Sequence, residues 1–110
     1  MEVLEKIESI IKSLGIKAYY QIADGNLDDY IIFDIYSEKD TTFCEDSNLE
    51  VAYYITLNYW HKGKSGLKKY KKIKEAFKNE GFFFNDMKTL KSSKQDVYGK
   101  NYTFKYEEEN

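Results

Sequence analysis

The 110-residue chain reads as one α+β domain over residues 1–110, a mainly antiparallel β-sheet with two helices packed on one face in the order α-β-β-(β)-β-α-β-β. Three observations predict it. Two segments repeat apolar residues at helical spacing and each ends in glycine. Between and after them lie runs rich in aromatic and β-branched residues. No repeat, linker or composition break divides the chain.

The first helix carries Val3, Leu4, Ile7, Ile10, Ile11 and Leu14, with Gly15 as its C-terminal cap. Glu2 and Glu5 near its start and Lys12 near its end suit the helix dipole. "IKAYYQI" (Ile16–Ile22) is rich in strand formers, and the turn "ADGNLDD" joins it as a hairpin to the buried strand "YIIFDIYS" (Tyr30–Ser37). An acidic stretch follows, with a short edge strand expected around Phe43. "VAYYITLNYW" (Val51–Trp60) is the longest strand; Val51, Tyr53, Ile55, Leu57 and Tyr59 share one face and Ala52, Tyr54, Thr56, Asn58 and Trp60 the other. After the turn "HKGKSG" comes the second helix, with Leu67, Tyr70, Ile73 and Phe77 as its apolar stripe and Gly81 at its end. "FFFNDM" and "VYGKNYTFKY" form two last strands, Gly99 marking a bulge in the second.

Composition narrows the function classes. No run approaches ~18 apolar residues and the N-terminal segment is acidic, so the expectation is neither a membrane span nor a secretory leader. The one cysteine, Cys44, suits a reducing, intracellular setting. All 17 basic residues are lysine, which removes the side chain best suited to bidentate phosphate contacts, and the net charge is −2. Nucleic acid is therefore disfavoured as a partner.

Candidate chemistry fails on spacing. Gly63-Lys64-Ser65 mimics the end of a phosphate-binding loop, but the first glycine of that motif would fall on Asn58, inside a strand, so the segment reads as a turn. Cys44 and His61 lack a third orienting residue and are assigned no chemistry; His61 reads as a turn residue, and alanine at either position is expected to leave assembly and activity intact. Asp28 and Asp29 fall in a hairpin turn and Asp34 on a solvent-facing strand position. No group has metal-ligand spacing, and no catalytic residue, cofactor or metal is expected.

Charge is more informative. Eight lysines (62, 64, 68, 69, 71, 72, 74 and 78) face one acid, Glu75, around the second helix, where Lys68 and Lys69 oppose the helix dipole. Nine acids between Asp24 and Glu50 face Lys39 alone. Complementary patches of this kind allow head-to-tail association, which makes a ring when it closes. The interface residues expected are Lys68, Lys69 and Lys72 against Asp40, Glu45 and Asp46, with Tyr54 and Trp60 as aromatic anchors.

The layout of amphipathic first helix, "YIIFDIY", acidic excursion, "VAYYITLNYW", a helix ending in "EGFFFNDM" and a last strand "YGKNYTFKYEEE" resembles the small tail terminator, or tail completion, proteins of long-tailed bacteriophages and prophages. That resemblance implies a non-enzymatic virion or tail-particle protein, assembled in the host cytoplasm. It also implies self-association in a ring, usually of six copies, that ends the tail tube and docks the head connector. The alternative from another class is a small nucleic-acid-binding or regulatory module using the lysine-rich helix and the Tyr/Trp sheet face. The two separate in a filter-binding titration: the first predicts DNA and RNA affinities weaker than about micromolar at physiological salt, the second tighter, steeply salt-dependent binding.

Overall fold

The computed structural model describes residues 2–23, 29–40 and 50–109. The strand expected around Phe43 lies outside them, as do Asp24, Asp28, Cys44, Glu45 and Asp46. Helix α1 spans Glu2–Ser13, followed by strands β1 (Lys17–Tyr20), β2 (Asp29–Asp40) and β3 (Glu50–Lys62). A 3₁₀ turn, Lys64–Lys68, runs straight into helix α2 (Lys69–Asn79), and β4 (Phe83–Leu90) and β5 (Val97–Glu109) complete one five-stranded sheet of order β1-β2-β3-β5-β4. All pairings are antiparallel except β1 with β2.

Both helices end the same way. The amide of Gly15 donates to the carbonyl of Lys12 and that of Ile16 to Ile11; at α2, Gly81 donates to Lys78 and Phe82 to Phe77. Each glycine has positive φ, which the paired-bond Schellman ending requires, and each next residue is a buried hydrophobe that packs back on the helix. Phe82, for instance, meets the Phe77 ring edge-on at 5.1 Å. The same device thus turns each helix into an edge strand, β1 or β4, so both helices lie over one sheet face.

That face is the core. From β3 come Val51, Tyr53, Ile55, Leu57 and Tyr59, with Ile31 and Phe33 from β2 and Tyr102 and Phe104 from β5. Against them pack Val3, Ile7, Ile10 and Ile11 of α1 and Ile73 and Phe77 of α2. Among the described residues no helix is long and apolar enough to cross a membrane.

Four expectations need correction. The β1–β2 unit is not a hairpin, because β2 runs parallel to β1, with Lys17 beside Tyr30 and Tyr20 beside Phe33. Parallel neighbours normally need a long crossover, but β1 has only four residues. The chain returns about 10 Å to its start, well within reach of the eight residues between Tyr20 and Asp29. Leu67 is not in the α2 stripe; it sits in the 3₁₀ turn, 46 % exposed. His61 is not a turn residue but a strand residue of β3, 2 % exposed.

Gly99 makes no bulge. The β3–β5 register runs unbroken through the Trp60–Gly99 pair, whereas irregularities fall in β4 between Phe84 and Asp86 and in β2 between Ile35 and Ser37. Gly99 instead leaves room for Trp60, since a Cβ there would lie 2.5 Å from Cζ3 of the indole and 3.0 Å from Cβ of Leu90. Replacing Gly99 with Ala should therefore displace Trp60 and cost about 1–3 kcal/mol in urea unfolding, with a changed tryptophan emission in the folded state.

Candidate functional site

Two surfaces stand out, and β3 relates them. Its core-facing residues are covered by helices; on its other face Tyr54, Thr56, Asn58 and Trp60 are half-buried, and among the described residues no helix lies over them. Asn101 bridges the middle of this face, donating to Oγ1 of Thr56 at 2.8 Å and to Oδ1 of Asn58 at 2.7 Å. Aromatic groups flank that polar ladder at both ends. Tyr54 meets Tyr36 at 6.2 Å, while Trp60 pairs across the strands with Tyr30, whose ring meets Tyr19 at 6.4 Å. Asp34 lies on this face too and accepts a hydrogen bond from Gln21 at 3.1 Å.

The long strands also set the charges apart. The molecule measures 55 × 25 × 24 Å, and β3 with its 13 residues, about 40 Å long, can lie only along the 55 Å axis. At the end where β3 begins, the register gathers Glu38 and Asp40 of β2, Glu50 of β3 and Glu107, Glu108 and Glu109 of β5. The buried phenol of Tyr53 registers this convergence: burial raises its pKa first, and the charges of Glu108, Glu38 and Glu2 raise it further. Lys39 and Lys105 are the cations of the β2 and β5 ends, and Lys105 is bound to Glu107 at 3.0 Å. The opposite end gathers Lys62, Lys64, Lys68, Lys91 and Lys94, all exposed, beside Asp96 of the β4–β5 connection, the single exposed acid there among the described residues.

The predicted interface residues fall on both surfaces. Tyr54 and Trp60 lie on the helix-free face, and Lys68 and Lys72 are exposed at the start of α2 on the other. The lysine helix and the aromatic face therefore lie on opposite sides of the sheet and do not form one surface. Asp40 is exposed at the acidic end; Glu45 and Asp46 lie outside the described residues. Lys69 does not point away from the fold. Its ammonium binds the Asp29 carboxylate at 2.5 Å, both side chains about one-third exposed. Asp29 thus belongs to β2, not a hairpin turn, and it offsets a cation placed against the α2 dipole. Sequence reasoning missed the acids Glu107–Glu109 and the lysines Lys91 and Lys94; the run "YEEE" was the available signal, but only the antiparallel register places it beside Asp40.

Behind the basic end lies a buried polar cluster. His61 stacks between Tyr59 and Tyr98 at 5.0 and 5.6 Å. With Nδ1–H donating to the Gly63 carbonyl at 2.9 Å, Nε2 is left to accept from the Tyr70 hydroxyl at 2.6 Å. Gly66 of the 3₁₀ turn lies so close over the imidazole that any Cβ would collide with it. Alanine at His61 would leave a cavity under the turn, so that variant is expected to lose stability, whatever its effect on assembly. Tyr102 donates to the carbonyl of Tyr70 at 2.9 Å. The Tyr59 hydroxyl faces Asp29, yet neither it nor Asp29 Oδ1 closes a well-formed hydrogen bond among the described residues. Among those residues no group of three His, Cys, Asp or Glu is placed to hold a metal.

No family model matches the chain, and no curated protein sequence matches it.

Burial raises the phenols of Tyr59 and Tyr102 above their ordinary value, and the Asp29 carboxylate adds to the effect at Tyr59. Raised folded-state values mean that the unfolded chain ionises first. The contribution of these two groups to stability is therefore complete below pH ~10 and is lost as pH rises beyond it. Tyr59→Phe removes an unpartnered hydroxyl, so stability at pH 7 should change by less than ~1 kcal/mol. The alkaline unfolding midpoint, followed by circular dichroism, should move upward.

Proposed function

We propose that this chain is a non-enzymatic assembly protein whose copies join end to end, the acidic end of one against the basic end of the next. The observation that carries the proposal is the separation of opposite charges along the 55 Å axis in a molecule whose net charge is only −2. Such a contact is heterologous, and a heterologous contact either closes into a ring or grows as a filament. The resemblance to tail terminator proteins favours the ring, with the tail tube and the head connector as its further partners.

The structure sorts the lysines that such a contact can use. Lys69 is held by Asp29, and Lys74 lies over the Phe84 ring at 4.3 Å. Lys62, Lys64, Lys68 and Lys72 are exposed and engage no acid among the described residues. A nucleic-acid strand cannot lie on the helix lysines and the Tyr54/Trp60 face at once, which weakens the alternative in its combined form.

The test is the double variant Lys68→Glu with Lys72→Glu, which spares Lys69. Circular dichroism should be unchanged, while sedimentation at low ionic strength shows self-association weakened by about tenfold or more, and less so as salt screens the contact. Adding Glu38→Lys with Asp40→Lys should restore part of the loss. Association or tube capping that is indifferent to both pairs of reversals across salt concentrations overturns the proposal.

A further inference from the structure

At the basic end of the helix-free face the structure forms a cleft, lined by Tyr30, Trp60, Lys62, Ser92, Lys94 and Val97. We infer that this cleft is the seat for the acidic end of a second copy, the Glu107–Glu109 stretch of its β5; the inference rests on the end-to-end reading above.

The floor of the cleft is preorganised. Trp60 lies over Gly99, where any Cβ on residue 99 would displace it, and Tyr30 stands beside it as its cross-strand partner. A rigid aromatic floor gives contact area at little cost in side-chain entropy. The rim is cationic. Lys62 and Lys94 are exposed and have no acidic partner among the described residues. The rim is also partly ordered, because the amide of Lys94 donates to Oγ of Ser92 at 3.0 Å and that of Gly63 to the Asp96 carbonyl at 2.8 Å.

The complementary group is on the same molecule. β5 pairs with β3 as far as the Glu50–Glu109 pair, and alternation puts Glu107 on the helix-free face with Glu108 on the other. The end of the sheet therefore presents carboxylates on both faces of one extended strand. An extended acidic strand entering the cleft would set its carboxylates on Lys62 and Lys94 and its backbone and side-chain stems on Trp60. The charges steer and orient the contact, and the aromatic floor holds it.

Trp60 is the one tryptophan in the chain, so its emission reports this cleft alone. The experiment uses two full-length variants, Lys62→Glu with Lys94→Glu, which reverses the rim, and Glu107→Gln with Glu108→Gln, which neutralises the strand end. Circular dichroism first establishes that both fold. Each alone should show self-association reduced by about tenfold at low salt, with Trp60 emission unchanged on dilution. Mixed, the first variant supplies an intact acidic end and the second an intact cleft, so one contact is restored and Trp60 emission shifts with 1:1 stoichiometry. Wild-type association without any change in Trp60 emission would overturn the cleft assignment and leave the end-to-end reading standing. Wild-type protein that does not associate at any concentration or salt, with or without tail tubes, would overturn both. Tighter than micromolar quenching of Trp60 by a short single-stranded oligonucleotide would identify the cleft as a nucleic-acid platform instead.

Discussion

The fold depends on the alternation of β3 from Tyr53 to His61, in a strand paired by β2 on one side and β5 on the other. Val51, Tyr53, Ile55, Leu57, Tyr59 and His61 all point to one face and are all buried. A strand with one apolar face has to be covered on that face, and the two amphipathic helices are the elements able to do so. Once they are in place, no helix among the described residues is left for the other face, where Ala52 is buried and Tyr54, Thr56, Asn58 and Trp60 are half-buried. The length of the strand then does the rest, because it places the start of β2 and the end of β3 at one end and the end of β5 at the other. Segregated charge and a bare aromatic face are consequences of the same central element.

A lysine-rich helix over this core would be poorly held by its charges alone. What fixes its start is the cluster under the 3₁₀ turn: His61 between two tyrosines, Tyr70 on the imidazole, and Lys69 on Asp29. The Lys69–Asp29 pair is neither fully exposed nor fully buried, and removing either partner would leave the other partly desolvated. That makes breaking it more costly than losing an ordinary surface pair. Lys71 reaches Glu75 one turn on, whereas Lys68 and Lys72 make no ion pair among the described residues, and they are the ones proposed to meet a partner.

Much of this architecture is legible in the residues. The 3.6-residue period of α1, the glycine-hydrophobe endings at Gly15-Ile16 and Gly81-Phe82, and the two-residue period of β3 are local signals, and local physics decides them. The direction of β2 relative to β1 is not local; it follows from how short β1 is and where α1 delivers the chain. Gly99 has two physical uses, a bulge or room for a neighbour's ring, and only the Trp60–Gly99 pairing chooses between them. Lys69 looks like its exposed neighbours until Asp29, forty residues away, arrives beside it. For the candidate site, the acidic and basic segments were readable as composition, but the recruitment of Glu107–Glu109 to one end and Lys91 and Lys94 to the other required the sheet register.

The central claim is that opposite ends of different copies touch, and carbodiimide coupling tests it directly, since this reagent joins an amine to a carboxylate only when they are in contact. A mixture of isotope-labelled and unlabelled protein, coupled at low ionic strength and read by mass spectrometry, distinguishes links within a copy from links between copies. The account predicts mixed-isotope links joining Lys62, Lys68 or Lys94 to Glu38, Asp40 or Glu108. These pairs sit at opposite ends of a 55 Å molecule and cannot form within one copy. Recovery of only the internal pairs, Lys69 with Asp29 and Lys105 with Glu107, under conditions where the protein associates, would contradict it.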